Sequence, residues 1–112
     1  LECAGPLVEQ VLVNLLDNAA FAAGPGGWIE LTVTGEGKLA VIEVGDSGPG
    51  VPANLVERIF DPFFTTKPVG KGTGLGLTIS RRIAHNHGGD LRVLRRDGGT
   101  VFRLELPQEA GL

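Results

Sequence analysis

The stretch VLVNLLDNAAFAA, residues 11–23, is apolar apart from Asn14, Asp17 and Asn18. Asparagine is a poor interior helix residue, because its amide competes for nearby backbone groups. Two of them at an i, i+4 spacing therefore raise the question of what they jointly hold. Pro6 suits a first helical position and Gly24-Pro25 a stop, so the reading outward is a helix over 6–23. Val8, Leu12, Leu15, Leu16, Ala19 and Ala23 recur at helical spacing as one apolar face. Asn14, Asp17, Asn18 and Phe21 fall on roughly the opposite side.

Downstream, WIELTVT (28–34) and LAVIEVGD (39–46) are alternating or β-branched, and GEGK joins them as a hairpin. ANLVERIF (53–60) reads as a short amphipathic helix. LGLTISRRIAHNH (75–87) reads as a second long helix, with Leu75, Ile79, Ile83 and Ala84 on one face and Gly88-Gly89 as its stop. LRVLRR (91–96) and TVFRLELP (100–107) form a second hairpin around 97–99. Hairpin-paired strands and separate helices predict a two-layer α/β sandwich, with helices on one sheet face. A doubly wound parallel sheet would alternate strands and helices singly and does not fit.

The chain has 112 residues, 42% hydrophobic and 21% charged, which suits one soluble globular domain. Its 18 glycines gather at turns and loops rather than along a linker. A net charge of −3 and the lack of a basic, aromatic-interleaved stripe argue against nucleic acid. Cys3 is alone, so no intrachain disulfide or cysteine metal site is expected. No apolar run reaches membrane-spanning length, and a cytoplasmic setting without membrane contact is the expectation. The opening LECAGP runs straight into a helix, so the chain reads as a segment of a longer protein.

Three elements could carry chemistry. VGKGTGLGL (69–77) places glycines at 70, 72, 74 and 76 before a helix N-terminus, where backbone N–H groups and the helix dipole suit a phosphate chain. It fits neither common nucleotide-binding glycine motif, and a plain flexible loop is the alternative. GDSGPG (45–50) ends a strand and could present Asp46 to a ligand amine, or could be an ordinary Asx-type turn. The asparagine amides are neutral, hard oxygen ligands suited to a phosphate-bound Mg²⁺, or else simply solvent-facing.

Taken together and in order, these elements resemble the ATP-binding catalytic domain of two-component sensor histidine kinases, in the gyrase–Hsp90–kinase–MutL superfamily. NLLDNA (14–19) looks like the N box, GDSGPG like the first glycine box and IFDPFF (59–64) like the F box. GKGTGLGL looks like the second glycine box and GGTVFRLELP like the closing motif. FDPFFTTKPVGKGTGLGLTIS is most similar to the nitrogen-regulation and dicarboxylate-sensing branch. The resemblance implies a Bergerat-type ATP-binding fold, a mixed β-sheet covered on one face by helices, forming a single domain over 1–112. The family's leading strand and its histidine-bearing dimerisation domain would precede Leu1, in a parent kinase with or without a membrane anchor.

By position, the resemblance makes Asn18 the Mg²⁺ ligand and puts Asn14 near the phosphates of ATP. Asp46 would accept from the adenine amino group, with Gly48 and Gly50 shaping that wall and Thr100 near the base. Gly72, Thr73, Gly74, Leu75 and Gly76 would line the phosphates, and Phe60, Phe63 and Phe64 would anchor the lid, Phe60 also as plain core. Where many members carry a basic residue, this chain has Phe21, so Lys67 and Lys71 become the candidates for neutralising phosphate in catalysis. His85 and His87 read as ordinary residues at a helix end. The implied partners are the dimerisation and histidine-phosphotransfer domain and a response regulator receiver domain. A nucleotide-binding pseudokinase and a gyrase- or Hsp90-like ATPase are the alternatives. The hydrolases keep a water-activating glutamate where this chain has Asn14, whose neutral amide cannot accept a proton.

Overall fold

The structure is a computed structural model that describes residues 5–51, 53–62, 76–96 and 98–107. Helix α1 (Gly5–Ala23) leads into strands β1 (Ile29–Glu36) and β2 (Leu39–Asp46). Helix α2 (Gly76–Asn86) leads into β3 (Asp90–Arg96) and β4 (Gly99–Pro107). The stretch expected as one amphipathic helix is instead two 3₁₀ turns, Ala53–Leu55 and Arg58–Phe60. Eight residues after a proline are too few to repay the cost of nucleating an α-helix, and tighter single turns take their place.

The four strands form one sheet in the order β1-β2-β4-β3. The expected mixed sheet is corrected here: every pairing among the described strands is antiparallel. Each hairpin reverses the chain, and β2 and β4 meet at the centre running in opposite directions. Strand periodicity then sorts the two faces. Ile42 and Val44 of β2, Leu91 of β3, and Phe102, Leu104 and Leu106 of β4 point into the core. The helices close that face with Val8, Val11, Leu15 and Ala19 of α1 and Ile83 and Ala84 of α2. Val11, absent from the expected apolar face, is almost fully buried, whereas Leu12 and Leu16 pack at its margin. Phe60 joins the core, with the Arg81 guanidinium 4.3 Å above its ring centre.

The outer face is a ladder of charges. Arg103 donates to Glu43 (3.1 Å), Glu36 (2.8 Å) and Glu105 (2.6 Å), and Arg96 donates to Glu43 (2.8 Å). Hydrogen bonds from Arg96 and Arg103 hold Glu43 below the usual carboxylate range, and Arg103 and Arg92 do the same for Glu105. These depressed values contribute stability above the unfolded pKa that is lost as pH falls through the folded one. β1 differs from the other strands, since all eight of its residues are exposed. The helices lie over β2, β4 and β3 and leave the edge strand's Ile29, Leu31 and Val33 open on the same face as Ile42 and Val44.

Candidate functional site

β2 ends on its inward alternation at Asp46, which is fully buried. Its Oδ1 accepts the Gly48 N–H at 2.7 Å, while Oδ2 is buried with no hydrogen-bond partner. Burial pushes the pKa of this carboxyl up, and the Gly48 N–H opposes the shift. Buried acceptors are nearly always paired, so this oxygen is open to a donor from outside the described residues. Thr100, nearly buried, sits opposite Asp46 on β4.

The turn after Asp46 is packed too tightly for side chains. A Cβ on Gly48 would lie 2.9 Å from both the carbonyl oxygen and the Cβ of Ala22, and 2.7 Å from Asp46 Oδ1. Ser47 and Trp28 tie the turn to the start of β1, with Trp28 N–H donating to Ser47 Oγ (2.9 Å) and Ser47 N–H to the Trp28 carbonyl (3.1 Å).

Ala22 belongs to a stripe on α1, since Asn14, Asn18 and Ala22 follow one another at i, i+4 spacing. At one end, Asn14 Nδ2 donates to the Gly76 carbonyl (3.3 Å) and to Ser80 Oγ (3.1 Å), both in the first turns of α2. At the other end Ala22 meets the Gly48 turn. The two contacts are eight residues apart on α1, about 12 Å along the helix axis. Asn18, half-buried, stands midway. One helix face therefore runs from the Asp46 turn to the residue that follows the glycine-rich segment.

Asn14 is thus engaged in bracing α1 against α2. Asn14→Ala leaves the Gly76 carbonyl and the buried Ser80 hydroxyl without that donor, at an expected cost of about 1–3 kcal/mol. Urea denaturation of the ligand-free chain measures it, and an unchanged midpoint would show that the brace contributes nothing.

Asn14, Asn18, Asp46, Gly48, Gly50, Gly76 and Thr100 lie within the described residues. Phe63, Phe64, Lys67, Lys71, Gly72, Thr73, Gly74 and Leu75 lie outside them. Phe21, in the place of the family's basic residue, is about half exposed. His85 Nε2 hydrogen-bonds to Asp90 Oδ1 (2.8 Å) and His87 Nδ1 donates to the Ile83 carbonyl (2.8 Å), in keeping with helix-end residues. Among the described residues no cluster of three or more His, Cys, Asp or Glu could hold a metal, and no helix is long and apolar enough to cross a membrane.

Two residues that contact these elements, Ser80 at Asn14 and Arg95 at Pro49, escaped the reading of the sequence. Ser80 was hidden because a lone serine in a helix carries no motif. Arg95 was readable in part: the alternation of LRVLRR puts it on the same face as Leu91 and Val93, though at an exposed position near the end of the edge strand.

Residues 4–110 match the family described as "Histidine kinase-, DNA gyrase B-, and HSP90-like ATPase". The chain belongs to this family. It is 38% identical over 110 residues to the sensor protein KdpD of Clostridium acetobutylicum, covering 94% of this chain and 12% of that protein. Its fold is similar to the catalytic domain of histidine kinase ThkA, with a TM-score of 0.85 and 43% identity over 92% of this chain and 67% of the other. It is also similar to ThkA in complex with the response regulator protein TrrA, with a TM-score of 0.79 and 39% identity over 93% of this chain and 29% of the other. The chain thus spans about an eighth of the length of KdpD, the part that in sensor histidine kinases forms the catalytic domain. Nothing in these matches singles out the nitrogen-regulation branch.

Proposed function

We propose that this chain is the ATP-binding catalytic domain of a sensor histidine kinase and that it transfers the γ-phosphoryl group of ATP to a histidine on a separate helical domain. The observation that carries this reading is the orphaned Oδ2 of Asp46, placed at one end of the α1 stripe whose other end meets α2. Asp46 Oδ2 accepts from the adenine amino group, and Gly48, whose lack of a side chain lets the turn pack against Ala22 and Asp46 Oδ1, forms the wall beside it. Thr100 flanks the base from β4. The phosphates extend along α1 toward Gly76, and the family resemblance assigns Gly72, Thr73, Gly74 and Leu75 to phosphate binding and Phe63 to anchoring the lid, all outside the described residues. Asn18 would hold Mg²⁺, which neutralises phosphate charge when bound. Lys67 and Lys71 supply the positive charge that Phe21 does not.

In this reaction an imidazole nitrogen of the acceptor histidine bonds to the γ-phosphorus as the bond to the ADP oxygen breaks. The acceptor is already a nucleophile, so the domain's work is positioning and charge neutralisation. Asn14 cannot activate water, and its amide is bonded to α2, which argues against hydrolysis as the main activity. The phosphoryl group then passes to a response regulator receiver domain, as the likeness to the ThkA–TrrA complex supports. Incubation with γ-labelled ATP is expected to label an added histidine-bearing helical domain and not the chain itself. Rapid labelling of His85 or His87, or fast phosphate release by the chain alone, would overturn the proposal, and a pseudokinase would leave the added domain unlabelled.

A further inference from the structure

Arg95 lies outside every motif that carries the family likeness, yet it reaches the base-binding turn. The sheet register puts Asp46, Thr100 and Arg95 on one rung across β2, β4 and β3. Their side chains share the inward face, because directly paired residues in an antiparallel sheet point the same way. From the edge strand, Arg95 Nη2 donates to the Pro49 carbonyl. The guanidinium also lies beside Gly50, where a Cβ would meet Nη2 at 2.5 Å and Cζ at 3.0 Å. Gly50 has φ +86°, a left-handed conformation that only glycine adopts without strain. Glycine here leaves room for the arginine and permits the turn.

The turn is therefore held from three sides. Trp28 holds Ser47, Asp46 and Ala22 hold Gly48, and Arg95 holds Pro49 and Gly50. The first two anchors come from the residue before β1, from β2 and from α1, so Arg95 is the anchor from the far edge of the sheet. A turn of small residues and proline has few apolar contacts, and its geometry depends on such bonds.

We propose that Arg95 is a positioning residue for base selection. Its hold on Pro49 and Gly50 keeps the Gly48 N–H on Asp46 Oδ1 and leaves Oδ2 for the incoming amino group. A preorganised turn spares the ligand the cost of ordering it. This inference rests on Asp46 being the adenine acceptor, and the test separates the two.

The experiment is titration of the 112-residue chain with ATP, GTP and inorganic tripolyphosphate, alongside Arg95→Ala, Arg95→Lys and Asp46→Asn, each checked for an unchanged circular dichroism spectrum. Arg95→Ala is expected to weaken ATP roughly five- to ten-fold, the share of a charged hydrogen bond felt through the turn. Tripolyphosphate affinity stays the same, the preference for ATP over GTP narrows, and Arg95→Lys, still a donor, recovers most of the loss. If Arg95→Ala does not fold, Arg95→Gln takes its place with the same readouts. Unchanged ATP affinity in the Arg95 variants beside a weakened Asp46→Asn would overturn the role of Arg95 alone. Unchanged affinity in both would overturn the Asp46 reading and this one with it. An equal loss for all three ligands would mean general loosening and would also overturn it.

Discussion

Asp46→Asn weakens ATP binding about ten- to a hundred-fold, because a hydrogen bond to a charged group contributes roughly 1.5–3 kcal/mol. An ionised carboxylate only accepts hydrogen bonds. Adenine offers it an amino donor, whereas guanine places a carbonyl oxygen at the corresponding edge, so the unmodified chain is expected to prefer ATP to GTP. The loss lies toward the smaller end if the new amide turns its oxygen to the base. Competition of both nucleotides against a fluorescent ATP analogue measures it, and equal affinities in the unmodified chain would remove Asp46 from the adenine pocket.

The raised pKa of Asp46 adds a pH signature. The folded chain keeps this proton to higher pH than the unfolded chain does. Its stability contribution is therefore fully present below the unfolded pKa and declines as pH rises through the folded value. ATP affinity moves the other way over the same window, since the protonated form presents a hydroxyl where the base needs an acceptor. Binding recorded across the acidic range should strengthen as pH rises, a trend that Asp46→Asn should flatten. In melts the Asp46 contribution is the difference between the unmodified chain and Asp46→Asn, because Glu43 and Glu105 lose stability as pH falls.

Asn18→Ala abolishes the Mg²⁺-dependent part of ATP binding and leaves the fold intact. Asn18 is half-buried on α1, beside the core residues Val11 and Leu15 but outside the core cluster itself. Its truncation opens no core cavity, and alanine's helix propensity returns a few tenths of a kcal/mol. With Mg·ATP at a hundred times its Kd, the unmodified chain gains about 2.7 kcal/mol of stability. The variant gains the same small amount from ATP with or without Mg²⁺. Thermal melts with ATP, with Mg·ATP and with neither provide the measurement. A large drop in melting temperature without nucleotide would make Asn18 structural instead.

Periodicity made most of the architecture legible before any coordinates. The helix over 6–23 and the strand pairs are local patterns, and local patterns depend on side-chain spacing that the sequence states directly. Asp46 and Asn18 stood out for a different reason: Asp46 ends a strand at a glycine-rich turn, and Asn18 pairs with Asn14 one turn apart on an otherwise apolar helix. Other features depend on neighbours distant in sequence. The short 53–60 segment lacked the length to choose its own helix type. Val11 was passed over because its burial depends on where α2 and the sheet lie around α1.

The division is clearest between the two asparagines. Their type and one-turn spacing are properties of the sequence, and they mark α1 as a helix with a second task beyond the core. Their separate duties come from tertiary contact. Asn14 is claimed by Gly76 and Ser80, 62 and 66 residues away, while Asn18 stands between that brace and the Gly48 turn. Arg95 tells the same story, since its face of the sheet is written in the alternation of β3 but its partner Pro49 is 46 residues upstream. Spacing along one element follows from backbone geometry, whereas a contact between elements exists only once the sheet register and helix docking have brought them together.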